Sequence, residues 1–426
     1  MLPVKPSLLT KESFYEACLN LGLNQNPNLN NQNNINNKIQ NIWVGFSGGL
    51  DSRVLLELSY LIFSNNANYK LRAVHINHSV NKNADLWQEH CYTVCKNLNI
   101  EFQANKIIVS NDQISKFGSL EAALRFCRMD AWQTLLSSGD ILLLAHHLND
   151  QAETVFLRLL RGTGLKGLAA MRPVTMFGKI QLIRPLLNNS RQEIEDFAQK
   201  HKLVYVQDDS NLDPKFTRNF LRLAVFPKFI NNWPKFINNI GRTVKHLQQT
   251  DLFIVKQARA ALLNCYAYDN CYVKCSQKNN NKNILLINKL LQYDSFLQTE
   301  ILREWIVNHG FYPPDENKLN KIYTEVISAG IDRQPKLNLR QYIICRYRDK
   351  LYVYPANYFK QKKPSFKNII GDLEIYVGDS ISVVGIVQAK KIFQKFGIPP
   401  WHRHDYQLVF WRKELIAILG LWFKKV

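Results

Sequence analysis

A chain of 426 residues, 46% hydrophobic and 21% charged, carries enough apolar content for more than one packed core, and at roughly 100 to 200 residues per domain it should hold two to four domains. The eight cysteines contain no C-x-x-C, the nearest pairs being Cys91/Cys95 and Cys271/Cys275, so neither a zinc ribbon nor an iron-sulfur site is supported and a reducing compartment fits. Net charge is +21 and unevenly placed: residues 1 to 215 hold 22 Lys and Arg against 19 Asp and Glu, whereas residues 216 to 426 hold 33 against 15. A near-neutral half joined to a polycationic half points to a polyanionic partner, nucleic acid ahead of an acidic membrane surface. No run of eighteen apolar residues occurs, and MLPVKPSLLTKESFYEA has charges where a signal peptide is apolar, so a soluble, cytoplasmic protein without a membrane role is expected.

The first amphipathic piece, SFYEACLNLGL, is followed by residues 24 to 41, ten asparagines in eighteen positions, which read as a disordered or looped insertion. Apolar strand-like runs then alternate with helical periods. NIWVGF (41–46) leads to the helical RVLLELSYLIF, and LRAVHINH (71–78) to the helical ADLWQEHCYTVCKNLN. FQANKIIV leads to the helical LEAALRFCRMDAWQTLLSS, and DILLLAHH (140–147) completes the set. Such alternation predicts a parallel sheet covered on both faces, with ligands beyond the carboxyl ends of its strands. From Phe216 to about 330 the pattern is helical and rich in Asn, Lys and aromatics. Short strands follow in QYIICRYRDKLYVYP, LEIYVGDSISVVG and YQLVFWRKELIAILGLWF, with NYFKQKKPSFKN as a polar linker. The expected organisation is an N-terminal extension (1–40), an α/β domain (41–215), a helical domain (216–335) and a small α+β or β-rich C-terminal domain (336–426).

Two blocks carry chemistry. Ser47-Gly48-Gly49-Leu50-Asp51-Ser52 sits between the first strand and its helix, where two glycines allow close backbone approach and a helix N-terminus presents free N–H groups to an anion. No G-x-x-x-x-G-K-[ST] loop is present, so kinase or GTPase chemistry is not indicated. In His146-His147-Leu148-Asn149-Asp150-Gln151-Ala152-Glu153-Thr154, a helix start places Asp150, Glu153 and Thr154 on one face at the sheet's carboxyl edge. A literal G-x-G-x-x-G at Gly162 to Gly167 follows a helix rather than a strand and is not a dinucleotide fingerprint.

The S-G-G-L-D-S block resembles the signature of the PP-loop, or N-type ATP pyrophosphatase, superfamily. The block HHLNDQAET, the loop RGTGLKGLAAM, Glu121 through Arg128, Arg184-Pro185-Leu186-Leu187 with Arg191, Asp208-Asp209-Ser210-Asn211, and Thr217 to Arg222 resemble motifs of the lysidine synthetases. Lys390 through Arg403, KKIFQKFGIPPWHR, is similar to the C-terminal motif of the longer members. The resemblance covers residues 41 to 225 and 370 to 426, with 226 to 369 assigned by position. It implies the PP-loop ATPase (adenine nucleotide alpha hydrolase-like) fold and the ligation of free L-lysine to the wobble cytidine of a CAU-anticodon tRNA(Ile), with ATP and Mg²⁺ and without a protein partner. Implied roles are ATP binding by Ser47, Gly48, Gly49, Leu50, Asp51 and Ser52, and metal positioning by Asp51. Asp150 and Glu153 would bind lysine, while His146, Arg125 and Arg128 would stabilise phosphate charge. Arg218, Arg222, Lys390, Lys391, Lys395, Trp401 and Arg403 would contact tRNA, the C-terminal motif interleaving cations with aromatics that can stack on unpaired bases. Within the same superfamily, a tRNA thiolase would need sulfur-handling cysteines, and a small-molecule amidotransferase would have no use for the basic half.

Overall fold

The computed structural model describes residues 9–23, 39–208, 213–267, 284–330, 333–360, 366–370, 373–377, 387–412 and 414–424. The Asn-rich readings at 24–38, Asp209-Ser210-Asn211, Cys271, Cys275 and linker residues 361–365 lie outside the described residues. The chain divides into two units, Met1–Asp251 and Leu252–Val426.

In the first unit the Thr10 hydroxyl and Ser13 close a capping box that starts α1 (Lys11–Asn20), which buries Phe14 and Cys18. Then come β1 (Gln40–Gly45), α2 (Leu50–Phe63), β2 (Tyr69–Asn77), α3 (Ala84–Asn97), β3 (Glu101–Lys106), α4 (Asn111–Phe117), α5 (Leu120–Leu135), β4 (Ile141–Leu143) and α6 (Leu148–Leu159). After α7 (Leu165–Leu168), β5 (Val174–Phe177) and β6 (Ile180–Ile183) form a hairpin, and α8 (Arg191–Lys200), α9 (Thr217–Phe220), a π-helical turn at Leu221–Val225 and α10 (Phe226–Asn232) follow. The sheet order is β3-β2-β1-β4-β6-β5, parallel throughout except for the antiparallel edge strand β5. The β5–β6 hairpin adds to the expected strands; its signal is Gly178 between two apolar runs, and Gly178 has the positive φ that a tight hairpin turn requires.

The alternating faces of β1 explain the two cores. Ile42 and Val44 pack with Val54, Leu55 and Leu58 of α2, whereas Trp43 packs on the other side with Val74, Leu142 and Trp132 of α5. The Trp43 indole N–H is not left bare: it donates to Asp140 Oδ2 at 3.0 Å. Because β2 and β4 flank β1 on opposite sides, the chain reverses its direction of winding at β1. The carboxyl ends of β1 and β4 therefore open side by side, the position where open α/β sheets bind ligands. Both blocks singled out in the sequence leave from those two strands.

The helix α11 (Phe236–Cys265) contains the division between the units. In the second unit, β7 (Ile284–Leu286), α12 (Ile287–Leu290), α13 (Ser295–Asn308), α14 (Glu316–Lys321) and a π-helical turn at Ile322–Ile327 precede β8 (Lys336–Asn338), β9 (Tyr342–Tyr347) and β10 (Lys350–Pro355). These strands form an antiparallel sheet in the order β7-β10-β9-β8, and it shares a core of Leu262, Leu302, Trp305, Val326, Ile344 and Leu351 with the helices. Arg346 is buried in β9, where its Nη1 donates to the carbonyls of Ile327 at 2.5 Å and Ala329 at 2.7 Å, satisfying the end of the π-helical turn. The last segment is a five-stranded antiparallel sheet, β11 (Phe366–Ile370), β12 (Leu373–Val377), β13 (Leu408–Trp411), β14 (Glu414–Ile418) and β15 (Trp422–Phe423) in that order. One helix, α15 (Val387–Lys395), packs on it through Ala389 and Phe393. Among the described residues no helix is long and apolar enough to cross a membrane.

Candidate active site

The loop after β1 is held by its own serines. The Ser47 and Ser52 hydroxyls lie 3.0 Å apart, Ser52 Oγ donates to the Gly49 carbonyl at 2.9 Å, and Ser47 N–H donates to Ser52 Oγ at 3.2 Å. Gly48 has φ +87°, which favours glycine, and a Cβ there would also crowd Cys91 Sγ at 3.1 Å. Gly49 caps α2 without a side chain to accept the first N–H groups, which leaves that helix start open to an anion. Leu50 contributes backbone alone, since its side chain is in the core.

Asp51 stands at the first turn of α2. Arg191 Nη1, from the start of α8, donates to its two oxygens at 2.6 and 2.7 Å, and His147 Nε2 is 3.8 Å from Oδ1. The same His147 Nε2 lies 3.5 Å from Asp150 Oδ2, so one imidazole links the carboxylates of the two sequence blocks. The His147 backbone N–H donates to Asp150 Oδ2 at 3.0 Å. Burial would push Asp150 up, but the neighbouring imidazoles of His147 and His146, that backbone hydrogen bond and Arg218 outweigh it and hold the carboxyl below its ordinary value. Asp150 is ionised at neutral pH.

Glu153, one turn further along α6, is fully buried. Arg222 Nε donates to its Oε1 at 2.8 Å, Arg218 Nε lies 3.0 Å from Oε2, and Arg222 Nη2 is also 3.6 Å from Asp150 Oδ1. Burial pushes the Glu153 carboxyl above its ordinary range, and the two guanidinia offset this only in part. Both arginines, read from the sequence as tRNA contacts, are thus committed to carboxylates of the site, though Arg218 and Arg222 keep 32% and 38% of their side chains exposed. Arg222 lies in the π-helical turn, a local irregularity common at functional sites.

His146 is pushed down to about 3 by burial, with the charges of Arg184, Arg128 and Arg218 adding to the effect against that of Asp150. It is a neutral imidazole, so it can donate or accept a hydrogen bond but supplies no positive charge to a phosphate. Burial and the neighbouring charges of Arg125 and Arg218 lower Arg128 to about 10, still protonated at neutral pH, and its guanidinium lies over Trp132, 5.4 Å from the ring centre. Arg125 is exposed on α5 and acts electrostatically on Arg128, Arg158 and Arg184.

The structure thus gathers Ser47 to Ser52, His146, Asp150, Glu153, Arg218 and Arg222 at one sheet edge. Sequence reading missed Arg191 as the partner of Asp51 and His147 as the link between carboxylates, although both stand inside the motifs named above. Among the described residues no cluster of three or more His, Cys, Asp and Glu forms a metal cage. A single carboxylate already holding a cation across both oxygens instead fits Mg²⁺ that arrives with nucleotide phosphates as most of its ligands.

The remaining expected contacts lie in the second unit. Lys390, Lys391 and Lys395 are exposed along α15, and Phe396 is 42% exposed beside them. Trp401 corrects the expectation of a base-stacking aromatic: it is buried among Ile343, Cys345, Tyr347 and Tyr352, and its Nε1 donates to Tyr354 Oη at 3.0 Å. Phe393 is likewise buried. Arg403, half-buried, donates from Nε to the Ile398 carbonyl at 3.3 Å and lies over the Phe393 ring. The cysteines Cys18, Cys95 and Cys345 are buried and held as thiols, burial pushing each up to about 12, which suits packing and not sulfur transfer.

Family models match three consecutive regions: a PP-loop domain over residues 23–229, a TilS substrate binding domain over 285–352 and a TilS substrate C-terminal domain over 387–426. The tRNA(Ile)-lysidine synthase of Photorhabdus laumondii subsp. laumondii is 32% identical over 418 residues, covering 90% of each chain. That of Coxiella burnetii is 33% identical over 416 residues, covering 89% of this chain and 88% of its own. That of Legionella pneumophila is 33% identical over 408 residues, covering 88% of this chain and 90% of its own. With its nucleotide loop, its paired carboxylates and relatives of this identity along nearly its whole length, the chain belongs to the tRNA(Ile)-lysidine synthase family.

Proposed function

We propose that this enzyme, an ATP-using ligase that modifies tRNA, joins free L-lysine to the 2-position of the wobble cytidine in a CAU-anticodon tRNA(Ile), so that the tRNA reads AUA in place of AUG. The observation that carries the reading is the convergence of Asp51 and Asp150 on one imidazole, His147, at 3.8 and 3.5 Å. It sets a carboxylate for an ammonium beside a loop built for phosphates.

The chemistry requires both. The cytosine O2 cannot leave unaided, so it attacks the α-phosphorus of ATP and pyrophosphate departs. The lysine ε-amine then attacks C2 of the adenylated base, and the C2–O bond breaks to release AMP. Ser47, Gly48, Gly49 and Ser52, with the N–H groups at the start of α2, would hold the pyrophosphate part, and Asp51 would hold Mg²⁺, which when bound neutralises charge on that leaving group. Free lysine is almost wholly protonated at neutral pH, its reference pKa being about 10.4. Asp150, ionised and 14% exposed, is the carboxylate that would orient the ammonium and assist its deprotonation. Glu153, with 1% of its side chain exposed and two guanidinia on it, would serve lysine through the placement of Arg222 and Asp150.

Arg125, Arg128, Arg218 and Arg222 would face the phosphates of ATP and of the anticodon loop, with neutral His146 as a hydrogen-bonding neighbour. Lys390, Lys391, Lys395 and Arg403 would meet the tRNA backbone electrostatically. With such a substrate the reaction would take place in the cytoplasm. The test is incubation of the protein with labelled lysine, ATP, Mg²⁺ and a CAU-anticodon tRNA transcript. Label is expected at the wobble cytidine only with ATP and metal; label arriving from a sulfur donor in place of lysine would overturn the reading.

A further inference from the structure

Arg191 has no part in the steps above, and its grip on Asp51 differs from that of an ordinary arginine–carboxylate pair. Such pairs commonly set two nitrogens against two oxygens. Here one nitrogen, Nη1, lies 2.6 and 2.7 Å from the two oxygens, the position a cation held by both would take. Nε is engaged elsewhere, donating to Glu195 Oε1 at 2.8 Å. The helix does not depend on this contact: Ser190 and Glu193 close a capping box at its start, and the Arg191 backbone N–H donates to Asn149 Oδ1 at 3.0 Å. With the side chains of Arg191 and Asp51 37% and 31% exposed, the pair is solvated and the guanidinium can leave by rotation about its own bonds.

Resting on the reading of Asp51 as the carboxylate for Mg²⁺, we propose that Arg191 is a stand-in for the metal: it closes Asp51 to free divalent cations and yields it only to a cation that arrives with nucleotide. A free divalent ion approaching Asp51 meets the charge of Arg191, with Arg222 also acting on the same carboxylate. A metal–nucleotide complex brings its own negative charge, which gives the displaced guanidinium a new anion within reach and leaves it beside the pyrophosphate that departs. Arg191 is in this scheme a positioning residue that sets the order of binding.

The experiment is a Mn²⁺ titration of the full chain, read from the electron paramagnetic resonance signal of the free ion, with and without a nucleotide analogue that resists cleavage between the α and β phosphates. Without nucleotide, Arg191→Gln and Arg191→Met should each bind Mn²⁺ at least about tenfold more tightly than the parent, since a contacting like charge has been removed. Arg191→Lys should restore the weak binding, and adding Asp51→Asn to either neutral variant should abolish the gain. Unchanged Mn²⁺ affinity in both neutral variants, or a gain with Gln alone, would overturn the proposal while leaving Asp51 as a metal carboxylate. If Asp51→Asn in the parent leaves binding of Mn²⁺ with nucleotide unaltered, the reading of Asp51 itself is wrong, and the proposal falls with it.

Discussion

At the scale of single residues, the proposed function assigns the two carboxylates that flank His147 to different chemical steps, and this separation can be measured. Asp51→Asn would remove the carboxylate proposed for the metal and also free Arg191, so neither adenylated tRNA nor product should form. Asp150→Asn should let adenylation proceed and stall the attack of lysine, by about a hundredfold to ten-thousandfold, the usual effect of losing a positioned proton acceptor. Rapid quench with α-labelled ATP, following label on tRNA before AMP release, distinguishes them. If neither variant accumulates adenylated tRNA, Asp150 belongs with the nucleotide and not with lysine. His146 gives a second prediction. In the unfolded chain it takes a proton below about 6.5, but in the fold it stays neutral down to about 3. The unfolded state thus binds more protons in that window, and stability, complete above it, falls as pH drops through it. Urea titrations at several pH values should show a shallower acid decline in His146→Gln, and an unaltered decline would show that the imidazole is already protonated in the fold.

At the scale of elements, β1, β2 and β4 were legible because burial leaves nearly continuous apolar runs, whereas the short β5–β6 hairpin was not. WVGF and ILLLA needed no partner to be recognised. The partners themselves were not legible. Asp51 meets Arg191 across 140 positions and Glu153 meets Arg222 across 69, and nothing local encodes such pairings. The resemblance implied tRNA contacts for Arg218 and Arg222; only the docking of the α9 and π-helical segment beside α6 shows them as counter-ions of Glu153. Trp401 shows the converse. Its setting among basic residues suggested a stacking surface, yet its indole is sequestered with β9 and β10, where Tyr354 accepts its N–H. Trp401→Ala should therefore destabilise the second unit by about 3 to 5 kcal/mol, as for other buried aromatics. A drop in unfolding midpoint, measured without tRNA, checks this; a tRNA-binding defect with an unchanged midpoint would return Trp401 to the surface role.

At the scale of the whole molecule, the excess of positive charge from residue 216 onward should govern how the protein finds a polyanion. Lys390→Gln, Lys391→Gln and Lys395→Gln change exposed groups on α15 without opening the separate cores to which Phe393 and Trp401 belong, so they isolate charge better than deleting the segment would. The triple variant should keep its unfolding midpoint and bind nucleotide as before. Its tRNA affinity should fall, and the slope of log affinity against log salt should flatten by roughly 0.7 to 0.9 for each phosphate no longer neutralised. An unchanged slope would remove α15 from the tRNA interface.

The sequence by itself determined the parallel α/β sheet, the nucleotide loop and the helix that carries Asp150 and Glu153, because each depends on contiguous residues: an apolar run, a pair of glycines, a three-residue spacing. Tertiary structure alone decided which charges face one another. It placed Arg191 on Asp51, closed Glu153 behind two guanidinia, left Asp150 less buried than Glu153 and stripped His146 of its charge. All of these follow from burial and from distances between remote segments, and Coulomb energies depend on those two quantities more steeply than on residue type.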